Sequence, residues 1–134
     1  YGCVHEGPQG IGIRRRRYEG GLQEGMTMTI EPGYYEDGNF GIRIENVYIV
    51  VRKDTPHRHG GQVFLGFENI TWAPIQTKMV TAELLSPQEL AWLNDYNARC
   101  REVLLPLLTA EEPEAAAWVV RETEPLAATG VPKL

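Results

Sequence analysis

"TIEPGYYEDGNFGIRIENVYIV", residues 29–50, carries two alternating apolar runs around a Gly-rich connection, and each run holds a glutamate where a strand ordinarily has an apolar residue. Glu31 closes the first run immediately before Pro32-Gly33, and Glu45 interrupts "IRIENVYIV", which otherwise reads as buried strand. A carboxylate in a strand core is costly to desolvate unless it is paired, protonated or bound to a metal ion. By the two-residue period of a strand, Thr27, Thr29 and Glu31 share one face and Met28 and Ile30 the other; Arg43, Glu45, Val47 and Ile49 likewise share a face. The connection "PGYYEDGNFG" is short enough to pair strands 26–31 and 41–51 in antiparallel fashion. That pairing brings Glu31 and Glu45 together on one face.

Outward from this stretch the chain has two zones. Residues 1 to about 80 are rich in Gly and β-formers, with turn signals at "EGPQG", "EGG", "EPG", "EDGNFG" and "RHGG" and further strands expected at 63–68 and 70–75. From about 80 onward the pattern is helical. "SPQELAWLNDYNARCREVLLPLLT" opens with Ser86 as N-cap, Pro87 at the first helical position and Glu89 closing a capping box. Leu90, Leu93, Asn97, Cys100, Leu104 and Leu107 form its stripe, and Pro106 is expected to end or kink it. "TAEEPEAAAWVVRETEPL" predicts a second helix with Thr109 and Glu112 as another capping box.

Composition narrows the function classes. The chain has 134 residues, 43% of them hydrophobic and 23% charged, as in a globular domain. A net charge of -5 argues against general nucleic-acid affinity. The run Arg14 to Arg17 reads as a solvated loop or strand edge, with a polyanion or localisation patch as the alternative. Cys3 and Cys100 are too few for a disulfide framework and are expected as reduced thiols. No segment is long enough to span a membrane as a helix. The opening "YGCVHEGPQG" lacks an initiator Met, a charged n-region and an apolar h-region, and reads as the middle of a longer polypeptide.

Spacing alone leaves the glutamates open. Arg43, two residues before Glu45, can form a partly buried ion pair with it. Hard divalent cations equally prefer carboxylate oxygens, with imidazole tolerated. His5 is the obvious imidazole of the β zone, whereas His57 and His59 lie in a polar, turn-rich loop.

"VHEGP" at 4–8, "TIEPGYYEDGNFGIRIENV" at 29–47 and "PIQTKM" at 74–79 resemble the C-terminal part of the aminopeptidase P family, the Xaa-Pro aminopeptidases among the pita-bread metallopeptidases. The resemblance implies an α+β fold: the C-terminal half of a pita-bread domain, a curved antiparallel sheet backed by helices, over residues 1–72, and a helical extension over 73–134. By the same resemblance Glu31 is a terminal metal ligand and general base, and Glu45 bridges two metal ions. His5 hydrogen-bonds substrate, Tyr35 lines the substrate pocket, and Arg43 supports the site from behind the ligands. The implied cofactors are two divalent ions, manganese first, with zinc or cobalt as substitutes. The implied partners are a peptide with proline in second position, the missing N-terminal part of the same enzyme, and a second copy in a homodimer.

The family's two aspartates and one further histidine belong to segments preceding this chain, so Glu31 and Glu45 are the ligands expected here. The ending "EPLAATGVPKL" lacks the apolar tail of lipid-anchored relatives, so a cytoplasmic location is expected. Pro132, Lys133 and Leu134 are a near miss to a peroxisomal signal. A different class of function, a catalytically inactive module for interaction or dimerisation, remains for the isolated chain.

Overall fold

The computed structural model describes residues 6–12, 20–108 and 111–127. His5, Cys3, Arg14 to Arg17, Thr109 and the terminal Pro132-Lys133-Leu134 lie outside the described residues. The chain forms two compact units, 1–71 and 72–134. No helix among the described residues is long and apolar enough to cross a membrane.

The first unit is all β. Its strands are β1 (Thr27–Ile30), β2 (Gly33–Glu36), β3 (Phe40–Arg43), β4 (Asn46–Lys53) and β5 (Phe64–Asn69). A three-stranded antiparallel sheet has the order β1-β4-β5, and β2 and β3 form a separate antiparallel pair. The expected single strand 41–51 is thus two strands, broken at Ile44 and Glu45. The reading of "IRIENVYIV" as buried throughout is also corrected, because Ile42 and Ile44 are exposed.

The break has a simple cause. β1 meets β4 with Ile30 opposite Asn46, and β2 meets β3 with Gly33 opposite Arg43, so one register runs the full length of a single long hairpin. Pro32 stands in the middle without an N–H to donate, and the ladder is reduced there to the Ile44 N–H on the Pro32 carbonyl at 3.1 Å. The tip turns at Asp37–Asn39, where Gly38 takes a φ of 71° that a side chain would resist.

Packing divides the faces. Met28 and Val50 are fully buried, and Asn46 is buried on the same face. Asn46 Nδ2 donates to Asn69 Oδ1 at 2.9 Å, and Asn69 Nδ2 in turn donates to the Thr71 carbonyl at 2.6 Å. The Val47 N–H completes the clamp on Thr71 Oγ1 at 2.8 Å. The first residues of β4, directly after Glu45, are therefore held by side chains as well as by the ladder.

The second unit is helical. Its helices are α1 (Pro87–Leu104) and α2 (Pro113–Glu122), with short 3-10 turns at Thr77–Met79, Ala82–Leu84 and Leu105–Leu107. Ser86 and Glu89 form the expected reciprocal capping box. Leu93, Asn97 and Cys100 are buried on the stripe, but Leu107 is 71% exposed, because the helix has already tightened into the 3-10 turn that contains Pro106.

Two expectations fail here. Residues 70–75 form no strand; Asn97 instead holds Ile75 by both backbone groups, Oδ1 accepting from its N–H at 2.9 Å and Nδ2 donating to its carbonyl at 3.0 Å. Glu112 is the N-cap of α2 rather than its third residue, and its side chain makes no capping bond. Pro113 at the first helical position fixes that start through its preset φ.

Candidate functional site

Glu31 and Glu45 follow the last residue of β1 and precede the first of β4, so they occupy the rung next to Ile30 and Asn46 on the continuing register. Antiparallel alternation makes this a rung without ladder bonds, between the bonded rungs at Ile30 and Pro32, and both carboxylates are part-exposed. They share a face with Arg43, as the strand period implies. Arg43 Nε donates to Glu45 Oε2 at 2.9 Å and lies 3.9 Å from Glu31 Oε2. The side chains are 51% exposed for Arg43, 34% for Glu31 and 37% for Glu45. Ion pairs this open to water contribute little to stability, so the arrangement fixes orientation and local charge rather than the fold.

Tyr35 belongs to the same face. Its ring lies across the hairpin over Gly33 and Gly41: a Cβ on Gly33 would come within 2.6 Å of the Tyr35 hydroxyl, and one on Gly41 within 2.7 Å of its Cδ1. The two glycines form a flat seat that no other residue type provides without moving the ring. From that seat the Tyr35 side chain lies beside Arg43. The Tyr35 hydroxyl, and secondly the charge of Glu45, raise the Arg43 guanidinium above its ordinary value. Tyr35, Arg43, Glu45 and Glu31 thus form one continuous polar row.

Two further residues reach the row without a site role in the reading of the sequence. Thr29 Oγ1 lies 3.0 Å from Glu31 Oε1, and the Thr29 N–H donates to Glu6 Oε1 at 3.1 Å. Thr29 shares the face of Glu31 by strand period, which was the available signal for it. Glu6 is adjacent to His5 in "VHEGP", but nothing in the spacing ties it to β1.

The donor chemistry suits a hard divalent cation, which takes about six oxygen or nitrogen ligands. Two carboxylates fit as part of such a shell and are too few to hold an ion by themselves. Among the described residues no group of three or more His, Cys, Asp or Glu side chains comes together around a common point. Arg43 occupies the charge-balancing role that a cation would otherwise fill.

The geometry brings two carboxylates and an arginine together on one face of an interrupted hairpin. The family model for metallopeptidase family M24 matches residues 2–52, and the model described as the C-terminal region of peptidase_M24 matches residues 63–126. The chain belongs to this family, as the C-terminal part of a catalytic domain with its C-terminal extension.

Among curated relatives, aminopeptidase P1 of Lotus japonicus is 49% identical over 92% of this chain and 18% of its own length. The "Probable Xaa-Pro aminopeptidase P" of Coprinopsis cinerea is 48% identical over 92% of this chain and 20% of its own. A solved structure of X-prolyl aminopeptidase from Caenorhabditis elegans, described as a cytosolic enzyme with a di-nuclear active site, matches with a TM-score of 0.76 and 39% identity. That match covers 92% of this chain and 20% of the other. The fold is α+β and matches the pita-bread aminopeptidase P fold, as the sequence led us to expect. The chain spans about a fifth of the length of the relatives it matches.

Proposed function

We propose that the polypeptide to which this chain belongs is a metal-dependent exopeptidase that releases the N-terminal residue from peptides with proline in second position. The observation that carries this reading is the pairing of Glu31 with Glu45 across the Pro32 interruption, with Arg43 between them. The names of the relatives support the same activity.

In this reading Glu31 and Glu45 would hold a pair of divalent ions with their carboxylate oxygens, Glu45 as the shared ligand and Glu31 as a terminal one. Manganese is the assignment that best suits oxygen-rich donors, with zinc or cobalt as substitutes. Two ions in such a site supply Lewis acidity toward the scissile carbonyl and a water that ionises near neutral pH. Glu31 would serve as the general base, taking a proton from the attacking water and giving it to the departing prolyl nitrogen. Proline makes the scissile bond a tertiary amide, so no N–H has to be matched and the pocket receives a pyrrolidine ring. Tyr35 lines that pocket, His5 hydrogen-bonds the substrate, and Arg43 holds Glu45 in line. The remaining ligands come from the N-terminal part of the same enzyme.

We assign residues 1–72 to the catalytic half and 73–134 to the extension. The two compact units support that division, although the C-terminal family model reaches back to residue 63 and so includes β5. A cytosolic enzyme is supported by the description of the Caenorhabditis elegans relative. A homodimer rests on the family resemblance alone. The exposed Tyr34, Phe40 and Ile42 form an apolar face of the kind that another protein surface covers.

A second reading applies to the isolated chain. With Arg43 already on Glu45, residues 1–134 alone are expected to bind Mn²⁺ weakly and to leave Xaa-Pro peptides uncut.

The test is hydrolysis by the purified full-length protein of peptides that differ only at the second residue. Release of the first residue confined to the proline peptides, and cut about 10²-fold or more by Glu31→Gln, is the expected result. Equal cleavage of all the peptides, or near-normal turnover in Glu31→Gln, refutes the assignment.

A further inference from the structure

The outer edge of β1 is satisfied by side chains of the segment 6–12. Gln9 Nε2 donates to the Thr27 carbonyl at 3.2 Å, and the Thr29 N–H donates to Glu6 Oε1 at 3.1 Å. Gln9 thus does the work of a strand N–H and Glu6 that of a strand carbonyl. Gln9 is buried, so this edge contact is part of the packing and not a surface accident.

Glu6 does more than cap an edge. Its two carboxyl oxygens lie 3.3 and 3.2 Å from Thr29 Oγ1, and that same hydroxyl lies 3.0 Å from Glu31 Oε1. A hydroxyl has one proton to donate and lone pairs to accept with, so it can serve one carboxylate at a time as donor. Glu6 therefore holds Thr29 through its backbone N–H, which leaves the hydroxyl proton for Glu31, the nearer carboxylate at 3.0 Å. Thr29 in turn touches Glu31, two residues further along the same face. Beyond Glu31 the ladder is interrupted at Pro32, so the end of β1 lacks the restraint that a continuous strand would give it.

We propose that Glu6 is a positioning residue for Glu31. Acting through Thr29, it holds the end of β1 at its outer edge and aims the Glu31 carboxylate along the face it shares with Glu45. This inference rests on the reading of Glu31 as a ligand. Residues behind metal ligands that orient them commonly matter about 10- to 100-fold for metal affinity or activity when removed.

The experiment uses the full-length protein and four variants: Glu6→Ala, Thr29→Val, their combination, and Thr29→Ser. Each is freed of metal, titrated calorimetrically with Mn²⁺, and separately assayed for kcat and KM on an Xaa-Pro peptide. Glu6→Ala and Thr29→Val are each expected to weaken Mn²⁺ binding and to lower kcat by roughly 10- to 100-fold, with KM little changed. The double variant is expected to be no worse than the worse single one, because both act along one path. Thr29→Ser, which keeps the hydroxyl, is expected to restore the parent values.

Independent, multiplicative losses, or unchanged Mn²⁺ affinity with only a lower unfolding temperature, would overturn the proposal. Thr29→Val preserves side-chain shape and decides the matter if Glu6→Ala does not fold: parent-like affinity in that variant refutes it. A full-length protein that binds Mn²⁺ but leaves Xaa-Pro peptides intact overturns the peptidase reading instead, and the titration still decides the role of Glu6.

Discussion

Arg43 donates to Glu45 from two residues earlier in the chain, across 2.9 Å and on the same face of the hairpin. Residues two apart on an extended chain share a face, and Arg43 also stands 3.9 Å from Glu31 across the hairpin. The guanidinium is also steadied by Tyr35, seated on Gly33 and Gly41. Removing either support should loosen Glu45. We expect Arg43→Lys, which keeps the charge but loses the planar fork that reaches both partners, to lower kcat/KM of the full-length enzyme clearly. Gly41→Ala, which displaces the Tyr35 ring, should move it in the same direction. Steady-state kinetics check both, and parent-like values in Arg43→Lys would mean that charge alone suffices.

The helical unit offers a stability test that is independent of any activity. Asn97 is 1% exposed and holds both backbone groups of Ile75. Asn97→Ala leaves an N–H and a carbonyl without these partners, at a cost of about 1–3 kcal/mol for the two part-buried groups. Urea unfolding of the parent and variant measures it. A loss well under 1 kcal/mol would mean that water replaces the asparagine amide.

The start of α1 carries a pH signature. The backbone N–H of Ser86 donates to Glu89 and holds its carboxyl below the ordinary carboxylate value. A group lowered in the folded state stabilises it above the unfolded value. That contribution disappears as pH falls from the ordinary carboxylate range through the lowered one. Ser86→Ala, which removes the other half of the capping box, should cost about 1 kcal/mol near neutral pH. Glu89→Gln should flatten the acid limb of the stability curve, as followed by helical circular dichroism between neutral and acid pH.

The residues that matter most to the proposed site were legible in the sequence because their signals are local. Strand period alone sets Glu31 beside Thr29 and Glu45 beside Arg43, and the structure keeps both relationships. The Ser86–Glu89 capping box was legible for the same reason, being a four-residue pattern with a fixed bonding scheme.

What escaped depends on interactions that spacing does not encode. β2 lies inside what the sequence presents as a connection, because "GYYEDGNF" exposes its aromatic residues and has no buried face to give it an alternating pattern. Residues 70–75 look like a strand by composition, yet Tyr96, Asn97 and the asparagine pair 46 and 69 satisfy the flanking backbone and side chains in other ways. Glu6 reaches Thr29 across 23 residues of sequence, and no local rule predicts that contact.

We propose that Glu31 and Glu45, the first as a terminal and the second as a shared ligand, hold a pair of divalent ions completed by the rest of the polypeptide. Metal content of the purified full-length protein, counted per chain after saturation with Mn²⁺ and removal of excess ion, tests it most directly. We expect two ions in the parent, as in di-nuclear sites generally, and a loss of at least one ion in Glu45→Gln, the bridging position. Two ions retained in both Glu31→Gln and Glu45→Gln would contradict the claim and return the two carboxylates to their role as partners of Arg43.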